Sequence, residues 1–206
     1  MSALALKKTP SPAPRQARSG LTPEEYLAIE RQAEYKSEYL AGKMVAMAGA
    51  TREHNLIVGN LLRVLGNQLL NRECNVYPSD IRVNVPKMAL YTYPDVVVTC
   101  GDELFADENV DILLNPIVII EVLWKSTEAY DRGRKFEYYQ QISSLATYVL
   151  VSQEPYKVEV YVRQTENLWL YSATTDPEGV INLASIKCEL SLQDIYWKVK
   201  PREDET

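Results

Sequence analysis

Apolar residues recur along the chain with two different periods. From Thr51 to about Asn71, Ile57, Leu61, Val64, Leu65 and Leu69 return every three or four residues, which predicts a long amphipathic helix with Thr51 as its N-cap. Thr22-Pro23-Glu24-Glu25 combines a capping hydroxyl, a proline at the first helical position and an acid three residues on. A shorter helix is therefore predicted from there to about Ala33. Elsewhere the period is two, or the apolar run is unbroken. Ser37 to Ala48 reads as extended, turning at Ala41-Gly42, and Val76 to Val85 reads as one strand in which Ile81, Val83 and Val85 alternate with Arg82 and Asn84. Asp95 to Cys100 is a β-branched strand. Ile117 to Leu123 is so uniformly apolar that a central strand covered on both faces is predicted. Gly101 to Asn115 between them reads as a surface loop.

Ser126-Thr127 caps a helix predicted from about Glu128 to Ile142, and Thr147 to Ser152 is a further strand, so residues 117–152 read as a strand–helix–strand crossover. Val158 to Arg163, Leu168 to Tyr171 and Val180 to Asn182 read as antiparallel strands, and Ser191 to Asp194 starts a short closing helix. The fold class expected is α/β, in the sense of a mixed α+β sheet flanked by helices.

Composition narrows the setting. With 206 residues, 46% apolar and 24% charged, the chain is expected to form one domain over residues 21–200. Residues 1–20 are rich in Pro, Ser and Ala and hold Lys7, Lys8, Arg15 and Arg18 without an acid, so they read as a disordered basic tail. That tail contributes +4, which leaves the rest of the chain at −10 against a whole-chain net charge of −6. An acidic body argues against coating nucleic acid by bulk charge, but an enzyme that meets it through a local basic patch remains open. No apolar run approaches the roughly 20 residues of a membrane span, and no apolar leader is evident, so a cytoplasmic protein without membrane contact is expected. Cys74, Cys100 and Cys188 are scattered and odd in number and read as reduced thiols; a single histidine, His54, argues against Cys/His zinc chemistry.

The candidate chemistry lies between Tyr93 and Tyr139. Asp95 opens one β-branched run and Glu121 sits within the next, and a basic helical segment follows with Lys135 in its first turns. A carboxylate in an apolar strand is costly unless it is paired or binds a metal. Two carboxylates plus phosphate oxygens suit Mg²⁺, which keeps several waters and accepts only oxygen ligands. An ammonium beside them can stabilise developing negative charge. Helical spacing places Arg132, Lys135 and Tyr139 on one face. Accessory candidates are Glu38 as a third acid, His54 at a helix start that faces the site, and Asp80 at the opening of an alternating strand.

Asp95, Glu121 and Lys135, in that order, resemble the active site of the PD-(D/E)XK nuclease superfamily. The resemblance is closest to its Uma2 (DUF820) family of endonucleases, common in cyanobacteria. The matching pieces are Ser37 to Lys43, Met47 to Thr51 with His54-Asn55, Tyr93-Pro94-Asp95, Glu121-Val122-Leu123, Ser126-Thr127, Asp131 with Lys135 and Tyr139, and Tyr148 to Val151. They run over roughly residues 22 to 196. The resemblance implies a restriction-endonuclease-like fold with a central mixed sheet, and hydrolysis of DNA phosphodiester bonds with Mg²⁺ or Mn²⁺. It implies Asp95 and Glu121 as metal ligands, completed by the backbone carbonyl of Val122. The superfamily lysine two residues after the acid is replaced by Leu123, and the usual Ser-Pro by Trp124-Lys125. Lys135 is the substitute on which the family match falls, with Lys125 as rival. A homodimer is expected, because cutting both strands of a duplex needs two sites. The competing reading is a catalytically inactive nucleic-acid-binding or assembly protein that keeps the nuclease fold.

Overall fold

Strand Val118–Leu123 has all six residues buried, as an unbroken apolar run requires, and the rest of the molecule is layered on its two faces. The structure is a computed structural model and describes residues 17–47 and 49–200. In chain order the elements are β1 (Arg18–Ser19), α1 (Pro23–Glu30), β2 (Ser37–Leu40), β3 (Lys43–Ala46), α2 (Arg52–Leu69), β4 (Cys74–Pro78) and β5 (Arg82–Val85). There follow β6 (Leu90–Thr92), β7 (Val96–Cys100), β8 (Ile112–Leu113), β9 (Val118–Leu123), α3 (Glu128–Tyr130) and α4 (Phe136–Tyr139), the two helices joined by a π turn over Asp131–Lys135. β10 (Thr147–Ser152), β11 (Lys157–Thr165), β12 (Leu168–Thr174), β13 (Val180–Leu183), β14 (Cys188–Ser191) and α5 (Leu192–Ile195) complete the chain.

One six-stranded sheet has the order β12-β11-β10-β9-β7-β4 and is mixed: β9 and β10 run parallel, as a crossover connection demands, and the remaining pairs are antiparallel. Side chains alternate across it. Val96, Val98, Val118, Ile120, Val122, Val149 and Val151 meet Ile57, Leu61 and Leu65 of α2 on one face. Val97, Ile119, Leu123, Tyr148 and Leu150 meet Phe136 and Tyr139 of α4 on the other. Val83, Val85 and Leu90 join that second core from a second six-stranded sheet of order β1-β3-β2-β6-β5-β8. A mixed sheet with helices on both faces is the architecture expected from the sequence.

Local signals hold where they are chemical. Thr22 and Glu25 form the reciprocal capping box of α1, and the Thr51 hydroxyl accepts from the His54 amide to cap α2. Ala41 and Gly42 both take positive φ in the two-residue turn between β2 and β3, the combination a tight hairpin requires. At the end of α1, buried Glu30 accepts from the Ser37 amide and the Tyr93 hydroxyl, each at 2.8 Å. The first bond ties the start of β2 to the helix, and the second ties Tyr93 of the Tyr93-Pro94-Asp95 corner to it.

Three expectations are corrected. Val76 to Val85 is not one strand: β4 ends at Pro78, which cannot donate to a ladder, the chain turns at Ser79-Asp80, and β5 enters the other sheet. The stretch 101–115 contains β8, two residues running parallel to β5. β13 and β14 pair antiparallel in a separate two-stranded ribbon. Cys74 and Cys100 are not free thiols. The β4–β7 register puts them directly opposite, with Cα atoms 4.0 Å apart, and they form a disulfide that their separation of 26 residues conceals. Cys188 is free and buried. Of the tail expected over residues 1–20, residues 1–16 lie outside the described residues, and Arg18–Ser19 pair with β3 as a short edge strand. Residue 48, which closes the extended stretch, and residues 201–206 also lie outside them.

Leu61 is fully buried between α2 and the sheet, whereas Leu70, the residue directly after α2's last core residue, is 79% exposed. Leu61→Ala is expected to cost about 2–5 kcal/mol in urea unfolding. Leu70→Ala is expected to stay within about 0.5 kcal/mol. Equal losses at the two positions would mean that α2 does not pack by the face described.

Candidate active site

Val96 pairs with Ile120 across the β7–β9 ladder, and one further step of that register sets Asp95 opposite Glu121. Residues so opposed carry their Cβ atoms about 4.5–5.5 Å apart on one face of the sheet. Glu121 shares a strand face with Ile119 and Leu123, so it points into the second core, where it is only 5% exposed. An isolated ion there costs several kcal/mol in lost hydration. The chain answers with a cation: Lys135 Nζ lies 2.8 Å from Glu121 Oε1, 3.3 Å from Glu38 Oε1 and 3.6 Å from Asp131 Oδ1. The Tyr139 hydroxyl donates to the same Glu121 oxygen at 2.8 Å.

Each partner is fixed by a different element. Glu38 comes from β2 in the second sheet, where the Thr92 hydroxyl donates to it, so the site lies between the two sheets. Asp131 and Lys135 bracket the π turn, a distortion frequent at functional sites. The Tyr148 hydroxyl ties that turn to β10 by donating to the Asp131 carbonyl at 3.1 Å, and the Thr127 hydroxyl donates to the Asp131 carboxylate at 3.0 Å. Asp95 Oδ2 accepts from the Val122 amide at 2.7 Å and from His54 Nε2 at 3.2 Å. These contacts use Asp95 Oδ2 and Glu121 Oε1; Asp95 Oδ1 and Glu121 Oε2 stand outside them.

Burial and charge set the protonation. Burial pushes the Glu121 carboxyl up to about 8; Lys135 opposes this, while Asp95 and Asp131 reinforce it. Asp131 is raised by burial too, against the pull of Lys135. Burial alone would lower Lys135, but Glu121, Glu38 and Asp131 outweigh it and hold the ammonium well above its ordinary value. Three carboxyl groups therefore surround one ammonium, and Asp95 stands opposite one of them, leaving a surplus of acid.

That surplus has the donor chemistry of a hard divalent cation. Among the described residues no three His, Cys, Asp or Glu side chains converge closely enough to enclose a metal by themselves. Mg²⁺ does not need such a cage: it binds through one or two carboxylates and takes its remaining ligands from water and substrate phosphate. Asp95 and Glu121, each with one oxygen outside the internal hydrogen bonds, fit that mode.

The sequence-predicted residues divide accordingly. Asp95, Glu121, Lys135, Tyr139, Glu38 and His54 come together. Asp80 does not: it sits in the exposed turn before β5, 80% exposed, and pairs with Lys36. Lys125 lies exposed in the turn after β9, outside the carboxylate cluster. Arg132 leaves the face expected for it, because a π turn holds more residues than an α turn and rotates the stripe. Its guanidinium pairs with Glu159 and Glu128 instead. Val122 meets Asp95 through its amide, which leaves its carbonyl, the expected ligand atom, outside that contact. Asp131, Thr92 and Thr127 were not anticipated as site residues. The spacing of Asp131 and Lys135, four apart with opposite charge, is the signal that marks the first of them.

The arrangement defines a restriction-endonuclease-like fold with an acidic, lysine-bearing site. Residues 23–193 match the model of the Uma2 family, described as "Putative restriction endonuclease", and the chain belongs to that family. Two uncharacterized proteins of Synechocystis sp. (strain ATCC 27184 / PCC 6803 / Kazusa) are similar over most of their length. The first, sll1609, is 34% identical over 167 residues, covering 81% of this chain and 94% of its own. The second, slr1290, is 35% identical over 179 residues, covering 85% and 91%. The fold also matches the crystal structure of "a putative nuclease belonging to DUF820" from Anabaena variabilis ATCC 29413, with a TM-score of 0.71 at 20% identity over 85% of this chain and 97% of that one.

The raised Glu121 carboxyl gives a signed prediction. It is neutral in both states below its ordinary value of 4.5 and ionised in both above about 8, so the stability it contributes is present at low pH and lost as pH rises through 8. Without divalent cations, Glu121→Gln should therefore gain stability relative to the parent between pH 5 and 9, by roughly 2–4 kcal/mol at the upper end. A pH-independent difference in urea unfolding would contradict the burial argument.

Proposed function

We propose that this chain is a divalent-cation-dependent endonuclease that hydrolyses phosphodiester bonds of DNA. The observation that carries the reading is the opposition of Asp95 and Glu121 on neighbouring strands, with the Lys135 ammonium against Glu121. A protein that only bound nucleic acid would have little use for surplus acid where phosphate must sit.

In this reading Asp95 and Glu121 hold Mg²⁺ or Mn²⁺. The cation, when bound, polarises the scissile phosphate and makes a bound water more acidic. Asp95 is kept in place by the Val122 amide and His54, so its carboxylate is oriented before substrate arrives. Glu121 is fixed by Lys135 and Tyr139 and orients the attacking water. Lys135 compensates the buried Glu121 charge and presents its remaining positive field to the charge that grows on the phosphate. A buried carboxyl that titrates near 8 must lose its proton to become a ligand, so cation affinity rises as pH rises towards 8.

One observation favours the second reading, an inactive nucleic-acid-binding protein. Lys135 already lies within 3.6 Å of three carboxylates, so its charge is largely committed inside the protein. Incubation with plasmid DNA and Mg²⁺ separates the two. The nuclease reading expects nicked and linear products that vanish on chelation; the other expects retarded but intact DNA. Asp95→Asn and Glu121→Gln should each lower cleavage by at least about 100-fold. Lys135→Ala should lower it more than Lys125→Ala. Cleavage at the parent rate in either acid variant would remove the assignment, and the reverse order of the lysines would move the ammonium role to Lys125.

A further inference from the structure

The carboxylate of Asp95 is one member of a closed ring of hydrogen bonds that joins the ends of four elements, β7, β9, β10 and α2. Asp95 Oδ2 accepts from the Val122 amide at 2.7 Å. The next residue along β9, Leu123, offers its carbonyl to Gln153 Nε2 at 2.8 Å. Gln153 Oε1 accepts from the Thr51 hydroxyl at 3.0 Å, and the same hydroxyl accepts from the His54 amide at 3.2 Å. His54 Nε2 then returns to Asp95 Oδ2 at 3.2 Å. The carboxylate can only accept, so Nε2 carries the imidazole proton.

Nothing in the ring is free to turn alone. His54 is 6% exposed, with its ring against Trp124 at 5.7 Å between centroids. Thr51 serves twice, as the cap of an 18-residue helix and as the donor that holds Gln153. Gln153 follows directly on β10, which pairs with β9 in parallel, so the amide bridges the ends of two neighbouring strands. The ring therefore locks the N-terminus of α2 to the strand ends that carry the site.

We propose that Thr51, His54 and Gln153 are positioning residues for the cation site. By occupying Asp95 Oδ2 they fix the rotation of that carboxylate and leave Oδ1 for the ion. This inference rests on the cation reading given above. Partners that orient a metal ligand in this way contribute roughly 10–100-fold to affinity when probed by mutation.

The experiment is Mn²⁺ binding to the full chain, followed by electron paramagnetic resonance and independent of any nuclease activity. Thr51→Val, Gln153→Ala and His54→Ala should each weaken binding by roughly 10–100-fold. Thr51→Ser, which keeps the hydroxyl, should bind within about threefold of the parent. Thr22→Ala removes the equivalent cap of α1, at the opposite end of that helix from the Glu30 that holds Tyr93, and α1 contributes no residue to the cluster, so it controls for loss of helix stability and should leave binding unchanged. Unaltered binding in the three ring variants would overturn the positioning role while leaving the cation site standing. So would a loss that Thr22→Ala shares. A parent that binds no Mn²⁺ would overturn the cation site and the positioning role together.

Discussion

The ion pair between Lys135 and Glu121 is the interaction on which the rest of the site depends. Glu121 occupies a core position of a strand whose six residues are all buried, and period-two alternation leaves it no route to solvent. Its charge is tolerable only with a cation beside it, and Lys135 is drawn in to serve. Lys135 can reach because the helix after β9 loosens into a π turn, which also brings Asp131 to the same ammonium. The distortion of the helix, the burial of its lysine and the raised Glu121 carboxyl follow from one acid placed inside a sheet.

A lone ammonium is not enough for the acids assembled there. Glu38 arrives from the second sheet and Asp95 from the neighbouring strand, so charge of one sign exceeds the other in a region largely closed to water. Proteins seldom keep such an excess without a use for it, since like charges in low dielectric repel strongly. Here the excess coincides with a place where strands of both sheets and the start of α2 converge. The family to which the chain belongs is described as "Putative restriction endonuclease", and in the cation-dependent reading proposed above the excess of acid is what receives the cation.

Much of this was legible in the sequence because it rests on local chemistry or strict periodicity. The α2 stripe, the capping box at Thr22, the unbroken β9 run and the parallel crossover to β10 each impose one solution on the chain. Asp95, Glu121 and Lys135 stood out because acids in apolar runs and a lysine on the following helix are improbable as packing alone. What stayed hidden depends on pairing between distant segments. The partnership of Cys74 with Cys100 exists only through the β4–β7 register, and β8 is two residues long and gains its identity from β5. Pro78 ends a strand that alternation alone would continue. Arg132 was misplaced because α-helical spacing was assumed through a π turn, which nothing in Asp131-Arg132-Gly133-Arg134-Lys135 announces.

The most direct test of the account is the position of a bound ion. Crystals grown with Mn²⁺ would be measured at the manganese absorption edge and the anomalous difference map inspected. The account predicts a peak between Asp95 and Glu121, on the carboxylate oxygens turned away from His54 and Lys135. A peak elsewhere, such as at the Asp107 and Asp111 pair around Arg31, with none at Asp95 and Glu121, would contradict it.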